Sequence, residues 1–123
     1  MCEYCLSLAN YSSSPFNIEH IIPITKFGTS DVENLALACS GCNQHKYNKQ
    51  YGLDDTNLLA RLYHPRTDNW KEHFTWNDDY TIIIGLTNTG RATVNTLKLN
   101  RFRLLNQRLI FKNMGLHPPS FTI

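Results

Sequence analysis

Two apolar runs organise the first fifty residues. "FNIEHIIP", Phe16 to Pro23, is a short, mostly apolar stretch closed by a proline, the pattern of a strand. From Leu35, "LALAC" is a second apolar run, predicted as a strand, and it leads through "CSGC" into "NQHKYNK". That segment reads as a helix ending near Tyr51-Gly52, where glycine is a good stop. Between the runs, "TKFGTSDVEN" is a polar loop turning through Gly28, and ahead of them "NYSSSP" breaks any regular element.

The downstream pattern is less regular. "LLARLYHP" predicts a short helix stopped by Pro65, "WKEHFTW" is aromatic and amphipathic, and "YTIIIGLT" predicts a strand. "NRFRLLNQRLIFKNMG" predicts a helix capped by Asn100 and ended by Gly115. Its spacing turns Leu105, Leu109 and Met114 inward and groups Arg101, Arg108 and Lys112 on another face. No internal repeat or low-complexity segment interrupts the chain.

Length and composition narrow the class. With 123 residues, 41% of them hydrophobic, the chain is sized for one soluble domain. No run approaches the roughly 20 apolar residues of a membrane helix. "MCEYCLSLAN" lacks a basic head followed by a long apolar stretch, so the expectation is a cytoplasmic protein without a secretion signal.

Net charge is only +2, yet the last acidic residue is Asp79, and Arg91, Lys98, Arg101, Arg103, Arg108 and Lys112 follow it. A basic C-terminal third suits a polyanionic partner. The plainer reading is a solvated helix face neutralised by acids such as Asp54, Asp55, Asp68 and Glu72.

The cysteines change the picture more. All four fall in two C-x-x-C pairs, "CEYC" (Cys2, Cys5) and "CSGC" (Cys39, Cys42). Two distant pairs match a closed tetrahedral zinc site, in which the metal holds the fold and has no open position for catalysis. Redox pairs are the alternative, but one pair would serve that purpose.

Between the pairs, "FNIEHIIP" carries Glu19 and His20 side by side. Closing the zinc site can bring this strand against the helix that starts at the second knuckle, where Asn43 follows Cys42 and Lys46 lies about one turn on. A carboxylate oxygen and an amide oxygen make a hard site suited to Mg²⁺ or Mn²⁺, which keep waters and accept phosphate oxygens. A neutral imidazole beside such an ion can take a proton from an attacking water. In an ideal strand, however, Glu19 and His20 point to opposite faces, so the strand is expected to bulge or end there.

The combination C-x-x-C … EHIIP … ENLALAC-x-x-CN-x-x-K resembles the HNH endonuclease family, the ββα-metal nucleases, over Cys2 to about Lys46. The resemblance implies an α+β fold: a small zinc-stapled ββα-metal module over residues 1–52, then an accessory α/β tail over 53–123 with a C-terminal helix. It implies His20 as general base, Asn34 as the asparagine that braces the loop, and Glu19 and Asn43 as ligands of a catalytic Mg²⁺ or Mn²⁺. Cys2, Cys5, Cys39 and Cys42 match its structural zinc ligands. The implied activity is hydrolysis of DNA phosphodiester bonds, leaving 5′-phosphate and 3′-hydroxyl ends.

Two positions depart from the common pattern. Position 43 is asparagine where histidine is frequent, as in the resolvase-like branch, and Glu19 stands where aspartate is frequent. His45 does not substitute, because two residues along a helix turn a side chain about 200° away.

Lys46, Arg91, Arg101 and Arg108 are expected to contact the DNA backbone, and a homodimer is one route to cutting both strands. His64, His73 and His117 lack ligand spacing, and Trp70, Phe74 and Trp76 read as packing. The rival readings are a non-catalytic zinc-ribbon module binding nucleic acid and a zinc-stabilised protein-interaction domain.

Overall fold

The computed structural model describes all 123 residues. It is a mixed α and β structure made of short antiparallel hairpins and four helices. None of the helices is long and apolar enough to cross a membrane.

The N-terminal unit begins with the first knuckle. Strand β1 (Asn17–His20) pairs antiparallel with β2 (Leu35–Ala38), with Glu19 opposite Ala36 and His20 opposite Leu35. Helix α1 (Ser40–Lys46) follows, capped by Cys39, whose sulfur accepts from the Cys42 amide. The helix ends earlier than the expected Tyr51-Gly52. Tyr47 takes a φ of 50° and its amide bonds back to the Asn43 carbonyl, which closes the last turn.

In β1 the alternation runs against hydropathy. Ile18 is 66% exposed whereas Glu19 is 6% exposed, so the apolar residue faces out and the acid faces in. Such an inversion is stable only if the carboxylate finds partners inside.

Beyond residue 50 the expected helix at "LLARLYHP" is replaced by a strand. β3 (Tyr51–Leu53) and β4 (Leu59–Arg61) form a hairpin. Its turn is built by Asp54, whose Oδ1 accepts from the Thr56 amide and hydroxyl and the Leu58 amide. An aspartate folding the backbone onto its own side chain competes directly with helix formation. Helix α2 (Trp70–His73) runs into β5 (Phe74–Trp76), which pairs with β6 (Ile83–Gly85) within the expected "YTIIIGLT" strand. Helix α3 (Asn88–Thr96) packs on both hairpins. It comes so close to β6 that a Cβ at Gly85 would sit 2.5 Å from the Arg91 nitrogen.

Helix α4 (Phe102–Asn113) occupies the expected span and stops before Gly115, which takes φ 74°. Arg101 takes the N-cap position, while Asn100 pairs with the Ile83 backbone in both directions. The buried face is not the expected one: Leu104 and Arg108 are buried, and Leu109 and Met114 are exposed.

Arg108, only 4% exposed, donates to the Leu99 carbonyl at 2.6 Å, the Thr81 carbonyl at 2.8 Å and Asn100 Oδ1 at 3.1 Å. Apolar residues surround α4, so periodicity alone does not select a face. The need to satisfy buried carbonyls does. Arg108 is therefore interior, away from any phosphate backbone.

One core joins the knuckle residues Tyr4 and Leu6 to Trp70, Phe74, Leu97, Leu99 and Leu104 of the tail. Removing the Arg108 guanidinium would strand the Leu99 and Thr81 carbonyls. Arg108→Ala is expected to lower unfolding free energy by about 3 kcal/mol in urea titration. A change as small as that of a surface substitution would contradict this placement.

Candidate functional site: a four-cysteine centre and the adjoining cleft

The four thiol sulfurs of Cys2, Cys5, Cys39 and Cys42 all lie within 4.8 Å of one another, and none forms a disulfide. Sulfurs on one tetrahedral zinc, each about 2.3 Å from it, stand ~3.8 Å apart. Cys5 Sγ and Cys39 Sγ are 3.7 Å apart, so the donor set fits structural zinc in spacing as well as softness.

The tail closes over this centre. Arg101 Nη2 lies 3.4 Å from Cys39 Sγ, and both Nη atoms lie 3.6 Å from Cys42 Sγ. Gly41 makes room for it: a Cβ there would sit 2.6 Å from Arg101 Nη2. Four thiolates around Zn²⁺ leave net negative charge, which an arginine at this distance offsets. The structure thus commits Arg101 to the cysteines, where surface contact with DNA was expected.

The strand and helix of this unit meet at a cleft of about 290 Å³, whose walls include Glu19, His20, Pro23, Thr25, Asn43 and Tyr47. Strand pairing is regular up to His20 and stops there. An ending strand releases His20 and Glu19 from the strict up-down alternation, and both reach the cleft. His20 Nε2 is 3.1 Å from Ser30 Oγ, a partner able to hold the ring orientation.

The loop behind His20 is braced by Asn34. Its Oδ1 accepts from the Ile22 amide at 2.8 Å, and its Nδ2 donates to the Ile22 carbonyl at 3.0 Å and the Thr29 carbonyl at 2.7 Å. These bonds staple both ends of the 22–29 loop to one buried side chain.

Residues 2–49 match the family model for HNH endonucleases. Over these residues the chain is similar to HNH endonucleases. No curated protein and no solved structure matches the chain.

Within this HNH-like module, Glu19 is held by two groups. Tyr4, from inside the first knuckle, donates its hydroxyl to Oε1, and Lys46 Nζ lies 3.1 Å from Oε2. Lys46 is 1% exposed and also donates to the His20 carbonyl at 3.1 Å and the Ile21 carbonyl at 2.8 Å. All three ammonium donors are spent. Lys46 therefore sits beneath the cleft instead of on its surface, where a phosphate contact was expected.

Burial pulls the Lys46 ammonium below its ordinary value, against the opposing pull of Glu19. Burial and then Glu19 push the Tyr4 phenol well above its own, so it stays a donor at neutral pH. Sequence reading passed over Tyr4. The available signal was its place between two zinc-spaced cysteines, which guarantees that it lies near whatever the knuckle covers.

Arg91 on α3 and Lys98 are exposed, and with His45 and Arg101 they line a second, larger groove of about 590 Å³ on the other flank of α1. Of the four cations expected at a phosphate backbone, Arg91 alone is freely exposed.

A buried carboxylate stripped of its ammonium carries a heavy cost, and so does the reverse. Lys46→Met and Glu19→Gln should each lower stability by about 3 kcal/mol, and the double variant should cost clearly less than their sum. Urea unfolding of the zinc-loaded proteins measures this. Strict additivity would contradict the buried pair.

Proposed function

We propose that the cleft is the centre of a metal-dependent endonuclease hydrolysing DNA phosphodiester bonds. The observation that carries the reading is the convergence of Glu19, His20 and Asn43 on one cleft of an HNH-like module. An acid, an imidazole and an amide in that arrangement form the set that phosphodiester hydrolysis requires.

In this reading His20, turned by Ser30, accepts the proton of an attacking water. Glu19 and the Asn43 amide oxygen would hold Mg²⁺ or Mn²⁺, two hard oxygen donors for a hard cation. When bound, such an ion supplies Lewis-acid stabilisation of charge on the phosphate. Lys46 and Tyr4 fix the Glu19 carboxylate in place beforehand, and Asn34 fixes the loop that sets the height of His20. Lys46 is thus a positioning residue.

Residues 53–123 serve as an accessory layer on the 1–52 module, setting Arg101 against the cysteines and offering Arg91, Lys98 and His45 to the DNA backbone.

A second reading, a non-catalytic zinc-stabilised module that binds nucleic acid, draws on the Lys46–Glu19 ion pair. That pair already neutralises the one carboxylate of the cleft.

Incubation with supercoiled plasmid and Mg²⁺ or Mn²⁺ separates the two. The nuclease account expects nicked and linear products with 5′-phosphate ends from the native chain. His20→Ala should lower the rate about 10²- to 10⁴-fold while leaving the fold intact. Plasmid left intact by the native chain, or equal cutting by a folded His20→Ala protein, would reject it.

A further inference from the structure

Two exposed aromatic side chains, Tyr47 lining the cleft and Phe27 on the loop whose Ile24 and Thr25 wall it, are placed at a cost that the fold does not repay. Phe27 is 97% exposed and adopts φ 68°, ψ 20°. Tyr47, which lines the cleft, is 75% exposed at φ 50°. Left-handed backbone is unfavourable for a residue with a Cβ, and a bare aromatic ring forgoes burial as well. Either ring could be exchanged for glycine with no loss of internal packing.

Neither ring hangs on a loose segment. The Phe27 amide bonds to the Ile24 carbonyl at 3.1 Å, and the Gly28 amide bonds to the Pro23 carbonyl at 2.9 Å. A Cβ at Gly28 would sit 1.8 Å from the Ile22 carbonyl oxygen, so the turn is closed against the chain behind it. Asn34 ties the loop at Ile22 and Thr29, on either side of Phe27. Tyr47 is fixed by its amide bond to Asn43 at the end of α1. The backbone beneath both rings is fixed, one on the loop that walls the cleft and one at the end of the helix that faces it.

We propose that Phe27 and Tyr47 are base-stacking residues, and that the substrate at this cleft is DNA with unpaired, accessible base faces beside the scissile phosphate. The inference rests on reading the cleft as the site where a phosphodiester lies. Stacking on an aromatic needs a free π-face, which paired and stacked duplex does not offer. An exposed ring on a fixed backbone meets that need without ordering the chain beneath it. The cleft walls set His20, Thr25, Asn43 and Asn48 among Ile18, Pro23 and Ile24, and Lys26 stands exposed next to Phe27. Rings and aliphatic side chains interrupted by a cation and hydrogen-bonding groups match the faces and edges of a nucleotide better than the continuous apolar face of a protein partner.

The test uses the full-length His20→Ala protein, which binds without cutting, and two labelled duplexes of equal length in fluorescence anisotropy. One duplex is fully paired and the other carries a central unpaired loop. The expected result is tighter binding to the looped DNA, with Phe27→Ala or Tyr47→Ala weakening that binding about ten- to hundredfold. Phe27→Trp should restore it and Phe27→Leu should not. Because the backbone strain belongs to the wild type, Phe27→Gly should unfold at no lower urea concentration than the parent.

Equal affinity for the two DNAs, or binding unmoved by both alanine variants, would overturn the proposal. So would a Phe27→Ala protein whose defect is lost self-association in sedimentation. Plasmid cutting by the wild type is scored separately, so looped-DNA preference without cutting would sink the nuclease reading and leave the stacking assignment standing.

Discussion

Four sulfurs from residues 2, 5, 39 and 42 must meet at one point, and nearly everything in the N-terminal half follows from that demand. Bringing the two knuckles together closes a loop of more than thirty residues, a costly constraint unless strong bonds hold the ends. Closure folds β1 back on β2, sets the start of α1 at Cys39, and carries Tyr4 across to Glu19. A module of this size has little core of its own, so a metal-ligand clamp on these sulfurs would take over work that hydrophobic burial does in larger domains.

Charge is arranged in layers around that clamp. Arg101 lies on the cysteine sulfurs, and Arg108 reaches the Cys5 carbonyl at 3.4 Å, so the tail meets the electronegative end of the module with two guanidinium groups. One turn further along α1's buried face from Cys42, Lys46 meets Glu19. Cations that look like a DNA-binding surface in the sequence are in large part internal counter-charges. The basic excess of the C-terminal third is thereby divided between structure and surface, with Arg91, Lys98 and Arg103 left outside.

How much was legible beforehand follows from the range of the interactions involved. The zinc spacing, the two strands, the end of β1 near His20 and the stop at Gly115 depend on short motifs or local backbone preferences, and the structure agrees with them. The inward turn of Glu19 was not readable, because an alternating pattern fixes a period but not which face is covered. Nor was the burial of Lys46, whose partners Glu19, His20 and Ile21 lie more than twenty residues away. The β3–β4 hairpin defeated a helical reading through one side chain, Asp54. Arg108 defeated the assigned face of α4 because distant carbonyls, and not helical spacing, decide where its guanidinium goes.

A zinc ion on the four cysteines is predicted to hold the strand pair and loop which present the cleft. Amide hydrogen exchange on the zinc-loaded and chelator-stripped chain tests it most directly, read at Ile21, Ile22 and Asn34, whose amides bond to Asn34 O, Asn34 Oδ1 and Asp31 O. The account predicts strong protection with zinc and its loss on stripping, restored by adding zinc back. Protection that survives in fully metal-free protein would show that the cleft stands without the clamp.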